Sequence, residues 1–179
     1  MNKYANLIEA IKDNLVQEDE YAAGLISKAR KVRKRGYLTR REFLDICMWK
    51  SPRPKKHYEK NAEDKIKDIT KKAFLIPHEK NKIVLLTRLK GIKIPTASAI
   101  LAMVYPDRYG IIDIRVWKIL RKYGEVKDNP SGMNFTPAQW YKFLIKIRYI
   151  AKKLKKTPRI VELTMFQHSK QIQRGTLYG

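Results

Sequence analysis

From Leu86 to Leu120 the chain reads LTRLKGIKIPTASAILAMVYPDRYGIIDIRVWKIL, and this stretch constrains the fold more than any other. An apolar helix end runs into Leu89-Lys90-Gly91-Ile92-Lys93, which reads as a tight hairpin. Gly91 at the bend suits backbone amides that approach an anion closely. The helix predicted from Thr96 to Tyr105 is rich in small residues (Ala97, Ser98, Ala99 and Ala102), which permit the close helix contact a hairpin needs. A Pro106-Asp107 turn follows. Asp113 then stands as the single acidic residue opening a further helix over Ile114–Tyr123, stopped by Gly124.

The flanking segments are also helical by periodicity. Tyr4, Leu7, Ile8, Ile11 and Leu15 predict a helix from about Asn2 to Gln17. Asp19 caps a second, with Tyr21, Leu25, Ile26, Ala29 and Val32 inward. It ends in Lys28, Arg30, Lys31, Arg33, Lys34 and Arg35 before Gly36, which is either a favourably capped helix end or a phosphate-facing patch. Thr39 and Glu42 form a capping box for a helix running to Trp49-Lys50, broken by Ser51-Pro52-Arg53-Pro54. Asn61 is expected to cap the next helix, and Pro77 to begin the one that leads into the hairpin. Asn129-Pro130 and Ser131-Gly132 mark a loop. Thr136-Pro137 and Thr157-Pro158 open the last two helices, the second with Ile160, Leu163 and Phe166 inward. The tail after Gln173 is expected to fray.

Composition narrows the partners. With 40 Lys and Arg against 17 Asp and Glu, the net charge is +23 over 179 residues. Such an excess repels itself and points to a polyanion. Nucleic acid is the first expectation, an anionic membrane surface the second. No apolar run approaches the ~20 residues of a membrane span, and no signal-peptide pattern is visible, so an intracellular protein, in cytoplasm, nucleoid or nucleus, is expected. Cys47 is the single cysteine, which rules out an internal disulfide and a four-cysteine iron–sulfur cluster. His57, His78 and His168 are scattered without metal-ligand spacing, and there is neither a P-loop nor G-x-S-x-G.

Leu89, Gly91, Ile92, Thr96 and Ala97, with Asp113 at a linked spacing downstream, resemble the helix-hairpin-helix (HhH-GPD) DNA glycosylase superfamily. The match covers about 35 residues. Beyond it, WKSPR (49–53), PTASAIL (95–101), YGIIDIRVW (109–117), Trp140 and Phe143 on a helix with an Arg, and RIVELTMFQHSK (159–170) resemble one branch of that superfamily. The resemblance implies an all-α, two-lobed fold with a cleft between lobes. The helix-hairpin-helix lobe would span roughly 62–125, and 1–61 with 126–179 would form the other. It also implies a monomer acting on double-stranded DNA in base excision repair.

Residue by residue, the resemblance gives Asp113 the catalytic part, stabilising an oxocarbenium-like sugar and orienting water. Lys90, Gly91, Ile92, Lys93, Thr96 and Arg115 would meet DNA. Trp49, Lys50, Arg53 and Glu42 are candidates for the base pocket or a duplex wedge. No organic cofactor is implied, and a structural Na+ or K+ could sit on the carbonyls of Thr87, Leu89 and Ile92. Two departures matter. Lys93 replaces the second hairpin glycine. Pro95 occupies the position of the lysine with which bifunctional relatives form an imine, so a monofunctional glycosylase is expected. The alternatives are a non-catalytic DNA-binding protein and a glycosylase/lyase using a displaced lysine such as Lys50. The bland reading of Asp113 is an N-cap, and of Trp49 a core residue.

Overall fold

A computed structural model describes residues 4–172. Among them the chain is helical throughout, with α1 (Leu7–Asp13), α2 (Glu20–Arg35), α3 (Arg40–Lys50), α4 (Lys55–Tyr58), α5 (Glu63–Leu75), α6 (Glu79–Leu86), α7 (Ile94–Val104), α8 (Ile114–Lys122), α9 (Pro137–Leu154) and α10 (Pro158–Ile172). The expected all-α class is what the chain adopts. Asn2 and the tail after Gln173 lie outside the described residues.

The axis of the fold is α7. Every residue from Thr96 to Val104 is buried, as expected of a helix that is apolar all round. Its small side chains let α2, α3 and α6 pack against it. A second group forms around α10, which packs on α1, α8 and α9, while α6 also meets α9. The buried apolar residues of both groups form one continuous cluster.

Local chemistry explains most boundaries. Asp19 caps α2, Thr39 and Glu42 form the capping box of α3, Thr136 and Gln139 that of α9, and Gly36 closes α2 at φ +84°. Thr157 Oγ1 accepts from the Ile160 amide at 3.2 Å at the start of α10. Trp117 Nε1 donates to the carbonyls of Asp128 and Asn129, which pins the loop between α8 and α9.

Several expectations need correction. α1 begins only at Leu7, capped by Asn6. Tyr21 is exposed rather than inward. α6 begins at Glu79, two residues after Pro77, and α7 begins at Ile94 with Pro95 in its first turn. Asn61 does not cap α5, whose N-cap is Ala62. Its side chain instead accepts from the Lys90 amide (2.7 Å) and donates to the Lys90 carbonyl (3.0 Å). An amide side chain can satisfy both backbone groups of one residue, and here that holds the hairpin. In α10 the buried residues include Arg159 and Glu162, not Ile160. A charged pair that satisfies itself goes inside where an apolar count would leave it out.

Candidate active site

Asp113 is the N-cap of α8, and its Oδ1 accepts from the Val116 amide at 3.0 Å. Its other oxygen is turned to Lys50, whose Nζ lies 3.4 Å from Oδ2. The two side chains are 18% (Lys50) and 16% (Asp113) exposed. Lys50 is the last residue of α3, so the end of one helix is set against the start of another, 63 residues apart in sequence. The bland and the chemical readings of Asp113 are therefore compatible: one oxygen caps and the other faces a cation.

The carboxylate is also tied to the hairpin. Ser98, in the first turns of α7, donates to the Pro95 carbonyl at 2.7 Å and accepts from the Ile112 amide at 3.1 Å. One hydroxyl thus links the helix that leaves the hairpin to the residue before Asp113. From the other side, Glu162 accepts from the Ile111 amide at 3.1 Å. Gly110 permits this approach, because a Cβ there would lie 2.8 Å from Glu162 Cβ and 2.7 Å from Ile147 Cδ1.

Asp113 and Lys50 open onto a pocket of about 260 Å³ lined also by Asp19, Trp49, Ile111, Arg159, Glu162, Leu163, Phe166, Gln167 and Lys170. One side chain from α3 and one from α10, Trp49 and Phe166, give it aromatic surface. Against Trp49 lies Arg159, 3% exposed, its guanidinium 5.7 Å from the Trp49 ring centroid. Arg159 donates to Glu18 at 2.5 and 3.0 Å and also to Glu162. Burial pushes the Glu162 carboxyl upward, Arg159 pulls it back, and the Asp113 charge pushes it up again, leaving it raised. For Arg159 the desolvation is outweighed by Glu162 and Glu18, so it stays firmly charged. A larger pocket of about 460 Å³ lies between Glu79, Arg108, Arg148, Lys152 and Lys156. It contains none of the site residues expected from the sequence, and its Glu79 is taken by Tyr109 (2.8 Å) and Arg148 (2.8 Å).

The hairpin has a different character. Gly91 sits at φ +82°, and a Cβ on it would come within 2.9 Å of both His57 Cβ and Tyr58 Cδ1. The glycine is needed for the seat on α4 as well as for the bend. The Lys90 amide is taken by Asn61 and the Ile92 amide by the Leu89 carbonyl at 3.1 Å. The amides of Gly91 and Lys93 bond to nothing among the described residues. Lys93 is the N-cap of α7 without a side-chain cap, so that helix start has orphan donors. Around it Lys56, Lys60, Lys90 and Lys93 are exposed and make no ion pair among the described residues.

The sequence-predicted residues therefore divide. Asp113, Lys50 and Trp49 meet in one pocket. Arg115 lies by its rim, 5.9 Å from the Phe166 ring centroid. Lys90, Gly91 and Lys93 are on the surface of the hairpin, but Ile92 (5% exposed) and Thr96 (6% exposed) pack inward, so neither offers its side chain to a ligand. Glu42 is committed at the start of α3, accepting from the Thr39 amide (2.8 Å) and pairing with Arg35, at the far end of the helix from Lys50. Arg53 is exposed on the turn beyond α3 and does not line the pocket. The extended backbone of Ser51 carries the chain away there. Sequence reasoning missed Arg159, Glu162, Phe166 and Gln167 as pocket residues. The available signal was an Arg and a Glu three apart in the largely apolar first half of α10.

Among the described residues no group of His, Cys, Asp and Glu could hold a metal ion, and no helix is long and apolar enough to cross a membrane. Cys47 is buried, and burial pushes its thiol far above the ordinary range. No family model, no curated protein and no solved structure matches the chain.

Proposed function

We propose that the protein is a DNA N-glycosylase that extrudes a nucleotide from duplex DNA and breaks its N-glycosidic bond beside Asp113. The observation that carries the reading is the Asp113 carboxylate, held by Val116 on one oxygen and open to a pocket on the other, tied through Ser98 to the helix that leaves a glycine hairpin. The resemblance of that stretch to helix-hairpin-helix glycosylases points the same way. In the two-lobed reading, the pocket is the cleft between the group around α7 and the group around α10.

The work divides by chemistry. Phosphate is held by the free amides of Gly91 and Lys93 and by the lysines around them. Ser98, Glu162 and Gly110 fix the segment that carries the carboxylate, so it need not reorganise as charge develops. Extrusion costs a few kcal/mol, least at a lesion or mismatch. The freed base stacks on Trp49, against whose ring Arg159 lies. As the base departs, positive charge develops on the sugar, and the Asp113 side chain stabilises it within a partly closed pocket. A monovalent cation fits the hairpin carbonyls: those of Thr87 and Ile92 accept no bond among the described residues, and that of Leu89 accepts one. Such an ion would add positive charge toward a phosphate.

The test is a panel of end-labelled duplexes, each with one lesion: uracil, an oxidised purine, an alkylpurine or a mismatch. Free base should be released from at least one of them by the wild type, and Asp113→Asn should lose release while still binding DNA. Binding without release from any duplex would leave a DNA-binding protein that uses the hairpin for grip alone.

A further inference from the structure

We propose that the pocket of about 460 Å³ between α6, α9 and the turn after α7 binds a small sugar phosphate. The site is separate from the Asp113 pocket and does not depend on the glycosylase reading. Its place in the fold also sets it apart from the hairpin. Glu79 opens α6, and Asp107 and Arg108 follow α7, whereas Gly91 lies between the end of α6 and the start of α7. With 11 residues, α7 is about 16 Å long. The pocket and the glycine bend therefore lie at opposite ends of this pair of helices.

Four cations line the pocket, Arg108, Arg148, Lys152 and Lys156, against two acids, Glu79 and Asp107. Glu79 is engaged from within the protein, its Oε1 by Arg148 and its Oε2 by the Tyr109 hydroxyl, each at 2.8 Å. Arg148 is in turn held at two atoms. Its Nε donates to the Arg108 carbonyl at 2.8 Å and its Nη2 to Glu79, while Nη1 bonds to nothing among the described residues. A guanidinium fixed in this way loses little freedom when it meets a ligand, and its planar fork matches phosphate oxygens. Lys152 and Lys156 are exposed and pair with no acid among the described residues. Lys155, at φ +51°, ends α9 in the left-handed region, and the chain turns there so that Lys156 lines the same pocket as Lys152.

The lining thus carries two positive charges in excess. A phosphate monoester brings about −1.5 to −2 near neutral pH and three acceptor oxygens, which matches both the charge and the number of donors. A backbone phosphodiester brings a single charge. The volume falls in the range of small-molecule sites, about 300–1,000 Å³, so it holds more than a phosphate group alone. Of the lining residues only Ala151 and Pro158 are apolar, so the organic part that fits is hydroxylated rather than greasy. Those two conditions describe a sugar phosphate.

The test is calorimetric titration of the full chain with ribose 5-phosphate at constant ionic strength, with ribose and dimethyl phosphate as comparison ligands. The wild type should bind ribose 5-phosphate and bind neither comparison ligand measurably. Lys152→Gln/Lys156→Gln should weaken that binding by about tenfold or more, the loss of at least one charge-assisted contact. Both side chains are exposed, so the fold should be kept. Lys60→Gln/Lys90→Gln removes the same charge beside the hairpin and should bind the ester as the wild type does. No binding by the wild type, equal binding of dimethyl phosphate, or a loss confined to the hairpin variant overturns the proposal. So does a Lys152→Gln/Lys156→Gln chain that keeps its ester affinity and loses affinity for duplex DNA, which would assign these cations to nucleic acid.

Discussion

The pocket and the hairpin use charge in opposite ways. The pocket is lined by three acids, Asp19, Asp113 and Glu162, and three cations, Lys50, Arg159 and Lys170. In a chain of net charge +23 that balance is local and selective. Its buried and half-buried members are interlocked, Arg159 with Glu18 and Glu162, and Lys50 with Asp113. Around the hairpin Lys56, Lys60, Lys90 and Lys93 are exposed and unpaired among the described residues. Buried pairs have fixed directions and set geometry. Free surface cations tolerate many directions, and under the proposed function they would hold the duplex whatever its sequence.

Breaking a buried pair in the pocket should have the largest effect. Arg159→Met leaves Glu162 in the interior without its cation, and about 3–5 kcal/mol of stability should go, read by urea unfolding. Next is Asp113→Asn. Base release should fall about 100- to 1,000-fold, as when one electrostatic contact to a transition state is removed. Thermal stability should change far less, since an amide oxygen still caps α8. Duplex affinity should hold or rise, because a negative charge near phosphates is gone.

On the hairpin side, Gly91→Ala forces a side chain into positive φ and against His57 and Tyr58. The strain should cost about 1–3 kcal/mol of stability and weaken DNA binding, since the amides move. Lys93→Gln should be milder. If about six phosphates are contacted, the wild-type log–log salt slope lies near −5, and this variant should flatten it by about 1 with no change in stability. A wild-type slope near zero would break the comparison outright.

The smallest effect is a pH dependence on the pocket side. His168 is buried on α10, with Nε2 3.3 Å from the Tyr123 hydroxyl, and burial holds its pKa below the ordinary 6.5. The unfolded chain takes up the proton first, so the contribution is intact above 6.5 and is lost as pH falls through the lowered folded value. Thermal melts should show a decline on acidification in that window, and His168→Gln should flatten it.

Local signals in the sequence located what depends on neighbours along the chain. The capping box at Thr39 and Glu42, the caps at Asp19, Thr136 and Asp113, and the stop at Gly36 arise from side-chain chemistry within four residues. The buried axis α7 is legible as an apolar, small-residue run. Features that depend on distant partners were not legible. Asn61 reads as a helix cap because its role, clasping Lys90, joins segments 29 residues apart. Arg159 and Glu162 read as ordinary charges because Glu18, 141 residues away from Arg159, completes their network. Thr96 and Ile92 lie within the hairpin motif, but periodicity alone does not say that both side chains are buried.

The most direct measurement is a crystal structure of Asp113→Asn bound to a duplex carrying a stable abasic-sugar analogue. The sugar should lie in contact with residue 113 and Lys50, and the amides of Gly91 and Lys93 should lie on a backbone phosphate of the same strand. DNA lying across another face, with the pocket empty and the hairpin untouched, would contradict the assignment of this pocket to base excision.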